Sequence, residues 1–256
     1  MIRRLATLMI LSLACALPLR GEEVVVGLSQ NRISITAGFD GSEILVFGAI
    51  RREAPPDPQA APLGVVVTIE GPSQPVTVRR KDRIAGIWVN AHEARLRAAP
   101  SFYAVATTGP LDDVLSATED LRHRITVGRA IRAIGLATME LDRALFIDAL
   151  IRIRSDEELY QELPGAVSLE RDTLFRTAIT LPANLTEGRY ATRIFLTRDG
   201  EVIDQYHTAI EVGKVGLERW LFTLAHDRPL AYGMLALTLA LVAGWAASVA
   251  FRYLRP

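Results

Sequence analysis

The sequence YATRIFLTRDGEVIDQYHTAIEV, at residues 190–212, has the pattern of a β-hairpin. Alternate residues of a strand point the same way, so one face of its first strand carries Tyr190, Thr192, Ile194 and Leu196. Asp199 and Gly200 follow, and this pair tolerates the positive φ angles that two-residue hairpin turns require. The segment 202–212 then returns as the partner strand. This stretch predicts an antiparallel β fold.

Further strand-like segments lie upstream, separated by Gly, Pro, Asn and Asp. An earlier hairpin is predicted where an alternating segment at residues 33–39 leads through Asp40-Gly41 into the apolar run 44–47. Short strands with such turns between them indicate an immunoglobulin-like antiparallel β-sandwich. The other strand candidates are residues 24–28, 65–69, 76–80, 84–89, 102–107 and 174–181.

The apolar period changes from two to that of a helix between residues 111 and 163. Ser155 with Glu158 has the spacing of a capping box and predicts the start of a short later helix. We therefore predict a mainly β fold, one sandwich built from residues 22–110 and 164–213, with residues 111–163 as a helical insertion. Two β-sandwich domains joined by helices are the alternative.

The amino-terminal residues 1–16 have the parts of a secretory signal peptide. Arg3 and Arg4 precede an apolar stretch, and Ala14-Cys15-Ala16 predicts cleavage after Ala16. The alternatives are a retained anchor helix and a lipoprotein signal in which Cys15 becomes the acylated first residue. Cleavage after Ala16 leaves no cysteine, which excludes disulfides and thiol chemistry in the mature chain.

The carboxy-terminal residues 230–251 read LAYGMLALTLALVAGWAASVAF and contain no charged side chain. As a helix they extend about 33 Å, enough to cross a hydrocarbon core of about 30 Å. We therefore predict one transmembrane helix here. Export of the amino-terminal side would place the β-rich region in the periplasm and leave the short tail, residues 252–256, in the cytoplasm.

Residues 216–228 precede this span and have an apolar helical stripe that includes Trp220 and Leu224. The stripe predicts an interfacial helix on the outer leaflet. Packing of the same stripe against the exported domain is the alternative. The candidate membrane-interface residues of both segments are Trp220, Phe222, Arg228, Tyr232, Trp245, Arg252, Tyr253 and Arg255.

Three segments carry a family resemblance: NRISITAGFDGSEILVFGAI at 31–50, LPANLTEGRY at 181–190 and VGLERWLFTLAHDRPLAYG at 215–233. With them the chain resembles, over essentially its whole length, the putative transmembrane protein family of alphaproteobacteria. The resemblance implies a bacterial inner-membrane location and topology, and it assigns no catalytic or binding residue. It also implies a transporter as a partner, because such proteins are encoded beside a permease similar to the sulfite exporters.

Chemistry-bearing motifs are sparse. The 29 basic and 29 acidic side chains balance, which argues against a nucleic-acid binder, since such proteins concentrate positive charge. The four histidines lack metal-ligand spacing, and no nucleophile elbow or phosphate-binding loop is present in the sequence. We therefore expect a protein without cofactor or metal that is not an enzyme.

The strongest positive cluster in the sequence is formed by Arg79, Arg80, Lys81 and Arg83. It is interpreted either as a charged strand end or as a contact for an anionic ligand, a lipid headgroup or an acidic partner surface. Topology without catalytic chemistry predicts an accessory or interaction subunit of another membrane protein, such as a transporter. A tethered periplasmic binding or sensor module for a small anionic solute is the alternative function.

Overall fold

The structure is a computed structural model that describes residues 22–36, 39–52, 60–132, 140–214 and 217–254. Its strands are β1 (Glu23–Leu28), β2 (Arg32–Ile35), β3 (Ser42–Arg51), β4 (Leu63–Glu70), β5 (Ser73–Ile84), β6 (Ile87–Pro100), β7 (Tyr103–Thr107), β8 (Tyr160–Leu163), β9 (Ser168–Glu170), β10 (Leu174–Leu181), β11 (Gly188–Arg198) and β12 (Glu201–Lys214). Its helices are α1 (Leu111–Val114), α2 (Ala117–His123), α3 (Val127–Ala130), α4 (Glu140–Asp156), α5 (Leu217–Asp227) and α6 (Pro229–Leu254). The predicted signal peptide, residues 1–16, lies outside the described residues.

Two sheets form the body of the protein. One has the order β1-β3-β10-β9 and the other the order β2-β12-β11-β4-β7-β8. Neighbouring strands are antiparallel except for β12 with β2 and β7 with β8, which are parallel. Both sheets combine strands from before and after the helical stretch, and their buried side chains form a single hydrophobic core. The β-sandwich with a helical insertion is therefore confirmed, and the two-sandwich alternative is not.

The burial pattern shows which faces the core uses. In β10, Phe175 and Ile179 are buried, whereas Leu174 and Arg176 are exposed. This alternation is expected for a strand with one face against the core and the other in solvent. In β4 every residue from Leu63 to Ile69 is buried. Helix α1 contacts β4, and α3 contacts β7, so the inserted helices lie against two neighbouring strands of the larger sheet.

The end of the helical insertion differs from the expectation. Ser155 lies in the last turn of α4, and Glu158 follows that helix with a φ of 59°. The predicted capping box is therefore wrong, because these residues end a helix rather than begin one. Residues 160–163, predicted within the helical stretch, form β8 and pair with the edge of β7.

The hairpin predicted from residues 190–212 is confirmed. β11 and β12 pair antiparallel, and both turn residues, Asp199 and Gly200, have positive φ angles of 52° and 77°. Both values match a two-residue turn whose twist suits the strands.

The hairpin predicted at residues 33–47 is wrong. β2 pairs with β12 in the larger sheet, whereas β3 pairs with β1 and β10 in the smaller one. Ile33 and Ile44 are nonetheless both buried, because they enter the same core from opposite sheets. Gly41 does have a positive φ angle, of 123°, but the Asp40-Gly41 pair cannot specify whether the next strand pairs with the preceding one or joins the other sheet.

The carboxy-terminal helices match the sequence expectation. Among the described residues, Pro229–Val249 in α6 is long and apolar enough to cross a membrane, and this apolar segment is not buried in the protein. α5 precedes α6 and contacts it. Backbone hydrogen bonds continue through the junction, since the Arg228 N–H donates to Leu224 O at 3.1 Å and the Tyr232 N–H donates to Arg228 O at 3.1 Å.

Candidate functional site

A long hairpin, β5 with β6, forms a two-stranded sheet of its own. Its base is anchored, because Val78 and Leu96 are buried in the core and β5 contacts α4. Beyond this base, residues 79–93 are exposed except for the half-buried Val89. We call residues 79–93 the hairpin arm. The strand predicted at residues 84–89 is wrong, since Ala85 and Gly86 form the turn at the end of the arm, with φ angles of 51° and 84°.

The predicted basic residues all lie on the hairpin arm. Alternation along β5 places Arg79, Lys81 and Arg83 on one face. Trp88 lies on that face as well, because it is the cross-strand partner of Arg83. Arg80 points to the opposite face. The structure therefore brings three of the four predicted cations to one face of the hairpin arm, together with Trp88 of β6.

Apolar side chains crowd the end of the hairpin arm. Ile84, Ile87 and Trp88 have 54%, 65% and 68% of their surface exposed. Ile84 and Ile87 are cross-strand partners and lie on the face opposite Trp88, so both faces of this end carry apolar groups. Several large apolar side chains exposed to water at one place are uncommon on soluble domains and mark interaction sites. The sequence signal for this site is the apolar run from Ile84 to Val89, which predicts a strand.

The positive charge of the arm is only partly balanced. Arg79 Nε lies 3.5 Å from Glu93 Oε2, and Arg95 Nη2 lies 3.4 Å from Glu93 Oε1. Asp82 accepts a hydrogen bond from the backbone N–H of Arg83 at 2.8 Å. Within the described part of the chain, Arg80 and Lys81 have no carboxylate partner. The arm thus presents cations and apolar groups together.

A second site was missed in the sequence. A cavity of about 520 Å³ opens near the base of the β5–β6 hairpin, where α2 ends above β4 and β11. We call it the arginine cavity. Its charged and titratable lining residues are Glu70, Arg122, His123, Arg124, Arg132 and Arg193. These residues are up to 123 positions apart in sequence (Glu70 to Arg193), so no local motif could have revealed the cavity.

Arg193 forms the inner wall of the arginine cavity and is held in place. Its Nη1 donates to His123 O at 2.7 Å, and its Nη2 donates to Arg124 O at 3.1 Å and to Tyr103 Oη at 3.2 Å. The guanidinium carbon also lies 5.4 Å from the ring centroid of Phe195, a cation–π contact. All three acceptors are uncharged, so the positive charge of Arg193 is solvated but not neutralised by them.

Tyr103 connects this wall to the end of α2. Its hydroxyl donates to Ile125 O at 2.8 Å and accepts the hydrogen bond from Arg193. Burial raises the pKa of Tyr103 well above its ordinary value, and the nearby positive charge of Arg193 opposes that rise. The phenol is therefore a neutral hydrogen-bonding group in the neutral pH range.

The loop that carries Arg124 is fixed by two acidic side chains. The Asp120 carboxylate accepts from Ile125 N–H at 3.0 Å, Thr126 N–H at 2.7 Å and Thr126 Oγ1 at 2.9 Å. Glu119 is buried and pairs with Arg122 and, at 3.2 Å, with His123 Nε2. Arg124 itself ends α2 in the left-handed conformation, with a φ of 52°. The backbone around the cavity mouth is thus well defined.

The predicted membrane-interface residues lie on α5 and α6. Trp220, Phe222, Tyr232 and Trp245 have 53%, 65%, 41% and 71% of their surface exposed. Arg228 is exposed at the junction of the two helices. Arg252 and Tyr253 lie in the last turn of α6, and Arg255 lies outside the described residues. Their role at a membrane surface stays a prediction.

The histidines do not form a metal centre within the described ranges, where no group of three or more His, Cys, Asp or Glu side chains is placed to hold an ion. His123 pairs with Glu119, and His226 Nδ1 lies 3.0 Å from Phe222 O one helical turn away.

Asp204 accepts a hydrogen bond from the Val24 N–H at 2.7 Å, joining the edges of the two sheets.

A β-sandwich followed by an unburied apolar helix defines a membrane protein with one candidate carboxy-terminal span. The chain matches the family described as "Putative transmembrane protein (Alph_Pro_TM)" over residues 23–253, and it belongs to that family. The family name implies an alphaproteobacterial origin, and the resemblance inferred from the sequence is confirmed. No curated protein matches the chain.

Proposed function

We propose that this chain is a single-pass protein of the bacterial inner membrane that acts as a non-enzymatic accessory or interaction subunit of another membrane protein, such as a transporter. α6 anchors it, and the sandwich stands in the periplasm with the carboxy-terminus in the cytoplasm. The hairpin arm is the docking element. The arm's exposed apolar end, Ile84 with Ile87 and Trp88, is the observation that carries this proposal.

The anchor is supported by the environment that α6 requires. Its apolar segment, Pro229–Val249, is not buried in the protein, and leaving about twenty apolar side chains in water is strongly unfavourable. A bilayer removes that cost without a protein partner around the helix. The orientation is supported by the export signal predicted at residues 1–16, which sends the strands ahead of α6 across the membrane.

The docking role is supported by the reach of the arm. The chain leaves the core at Val78 and turns at Ala85, and a strand of this length extends about 20 Å. A ribbon of this length can therefore touch a neighbouring protein while the sandwich stays apart from it. Tryptophan and arginine are the residues that most often dominate binding energy at protein interfaces, and Trp88 shares its face with Arg83.

The partner surface that fits this arm has an apolar recess with an acidic rim. Such a recess would enclose the end of the arm, covering Ile84 and Ile87 on one face and Trp88 on the other, while its carboxylates would meet Lys81 and Arg83. As a pocket for a small anion the arm is less suitable, because Arg80 points away from Arg79 and Arg83. The alternative function of an anion-binding module therefore needs a different part of the molecule.

Site-specific photocrosslinking tests the docking role. A benzophenone amino acid replaces Trp88 in the full chain in native membranes, and the matched control replaces Tyr206, which is also exposed but lies on β12. We expect a discrete adduct with one membrane protein from position 88 only. Absence of an adduct, or the same adducts from both positions, would overturn the proposal.

Co-purification of substituted variants provides a second test of the docking role. The triple variant Ile84→Ser, Ile87→Ser, Trp88→Ala should no longer co-purify the partner in mild detergent, whereas Ile203→Ser on β12 should retain it. Retention of the partner by the triple variant would count against docking through the arm.

A further inference from the structure

We propose that the arginine cavity binds a small, doubly charged oxyanion. This inference goes beyond the docking function, because the cavity lies at the base of the β5–β6 hairpin rather than on the hairpin arm and uses residues that take no part in docking. Its ligand class follows from the charge, the fixed geometry and the size of the cavity.

The charge of the lining favours a dianion. Arg122 is paired with Glu119, so its charge is already balanced. Among the residues that the structure describes, Arg124, Arg132 and Arg193 have no carboxylate within ion-pair distance. Glu70 is the acidic residue of the lining. Three unpaired guanidinium groups against one carboxylate leave a surplus of two positive charges, which a dianion would neutralise.

The geometry favours recognition by guanidinium groups. Arg193 is already immobilised by its bonds to His123 O, Arg124 O and Tyr103 Oη, so little conformational entropy is lost there on binding. The side chains of Arg124 and Arg132 are exposed at the mouth and can close over a ligand. Planar guanidinium groups donate paired hydrogen bonds to the oxygens of phosphate-like anions.

The volume of the arginine cavity favours a polyatomic solute over a single halide ion. About 520 Å³ is within the range of small-molecule sites and exceeds what a single hydrated chloride would fill. Ser73, Ala98 and Ala130 complete the wall with small side chains, which leave the interior open. The class is thus an oxyanion of phosphate or sulfate type, free or carried by a small organic group.

Titration calorimetry with inorganic phosphate tests the proposal. Phosphate at about pH 8, where it is mainly a dianion, is added to the full chain in a non-ionic detergent at constant ionic strength, with chloride as the comparison anion. We expect saturable binding of one phosphate per chain and none of chloride. No saturable heat up to about 10 mM phosphate, or equal heats with chloride, would overturn the proposal.

Two matched double variants locate the site. Arg124→Gln with Arg132→Gln removes two charges at the cavity mouth, whereas Arg80→Gln with Arg83→Gln removes two charges on the arm. Loss of charge-assisted hydrogen bonds predicts at least about a tenfold weaker affinity for the first variant, with little change for the second. Equal weakening in both would show attraction by net charge alone and overturn the assignment. Either single cavity variant repeats the test if the double variant unfolds.

Discussion

Arg193 and Tyr103 are joined across β4 by a hydrogen bond of 3.2 Å, in which Nη2 of Arg193 donates to Tyr103 Oη. The two residues come from β11 and β7, which flank β4 on either side. Each residue also donates a hydrogen bond to a backbone carbonyl near the end of α2. Arg193 bonds to His123 O, in the last residue of α2, and Tyr103 bonds to Ile125 O, two residues further on. This pair therefore fastens the helical insertion to the larger sheet and shapes the arginine cavity.

Removing the hydroxyl of Tyr103 should destabilise the fold. Tyr103→Phe deprives Ile125 O of its donor and Arg193 of one acceptor in a buried setting, which should cost about 1–3 kcal/mol in the free energy of unfolding. The measurement is denaturant unfolding of the full chain followed by circular dichroism. Tyr206→Phe, at an exposed position on β12, is the control and should change little; equal losses from the two variants would contradict this account.

Stability should fall in alkaline solution because of buried phenols. Burial raises the pKa of Tyr160 to about 12 and that of Tyr190 to about 12. Between pH 10 and 12 these groups stay protonated in the folded chain but ionise in the unfolded one, so each lowers the free energy of unfolding by up to about 1.4 kcal/mol per pH unit. Below pH 10 both tyrosines are protonated in the folded and the unfolded chain alike, so their ionisation causes no loss of stability there.

Tyr190→Phe isolates one of these contributions. The variant lacks one ionisable phenol, so its stability should decline less steeply between pH 10 and 12 than that of the wild type. The comparison of slopes is independent of any constant loss that the substitution causes. An unchanged slope would mean that Tyr190 ionises in the folded chain as readily as in the unfolded one.

A methyl group added at Gly48 should not fit. A Cβ there would lie 2.5 Å from Phe175 Cζ and 2.5 Å from the backbone oxygen of Val25, and neither can move freely. Gly48→Ala should therefore destabilise the sandwich by about 1–3 kcal/mol. Gly27→Ala is the control, because the three atoms nearest to its Cβ all belong to the exposed ring of Phe47, which can turn away. A loss for Gly48→Ala no larger than for Gly27→Ala would refute this packing.

The Asp120 side chain should be necessary for the loop after α2. Asp120→Ala removes the acceptor of three hydrogen bonds from Ile125 and Thr126 and should lower the free energy of unfolding by about 1–3 kcal/mol. Because this loop positions Arg124, phosphate affinity should fall as well. Glu201→Ala, an exposed acidic residue of β12, serves as the comparison and should alter neither quantity.

The apolar end of the hairpin arm should be dispensable for folding. Trp88 is 68% exposed, and Trp88→Ala should change the free energy of unfolding by no more than about 0.5 kcal/mol. A larger loss would mean that Trp88 serves the fold rather than a partner. Thermal unfolding of the full chain in detergent provides the measurement.

The sequence predicted what local patterns determine. Asp199-Gly200 lies between two alternating segments, and the hairpin predicted from this pattern is present in the structure. The apolar run of α6 is likewise recognisable without knowledge of any distant contact. Asp40-Gly41 has the same turn chemistry, yet β2 and β3 belong to different sheets. Strand partnership across a sandwich depends on which apolar faces meet in the core, and that information is not local.

The candidate sites show the same division. The cluster from Arg79 to Arg83 was visible as a run of charge, but its two faces depended on the strand register, and the turn at Ala85 was hidden in an apolar segment. The arginine cavity had no sequence signal, because the order β11-β4-β7 brings Arg193 beside the end of α2. Only the tertiary fold places these charges together.

Membrane topology is the central claim, and cysteine labelling tests it most directly. Replacing Cys15, the single cysteine of the chain, by serine gives a background for Thr77→Cys on exposed β5 and, separately, Pro256→Cys at the carboxy-terminus. A membrane-impermeant maleimide applied to intact spheroplasts should label position 77 at once and position 256 only after lysis. Labelling of position 256 in intact spheroplasts, or protection of position 77, would contradict a single span with the sandwich outside.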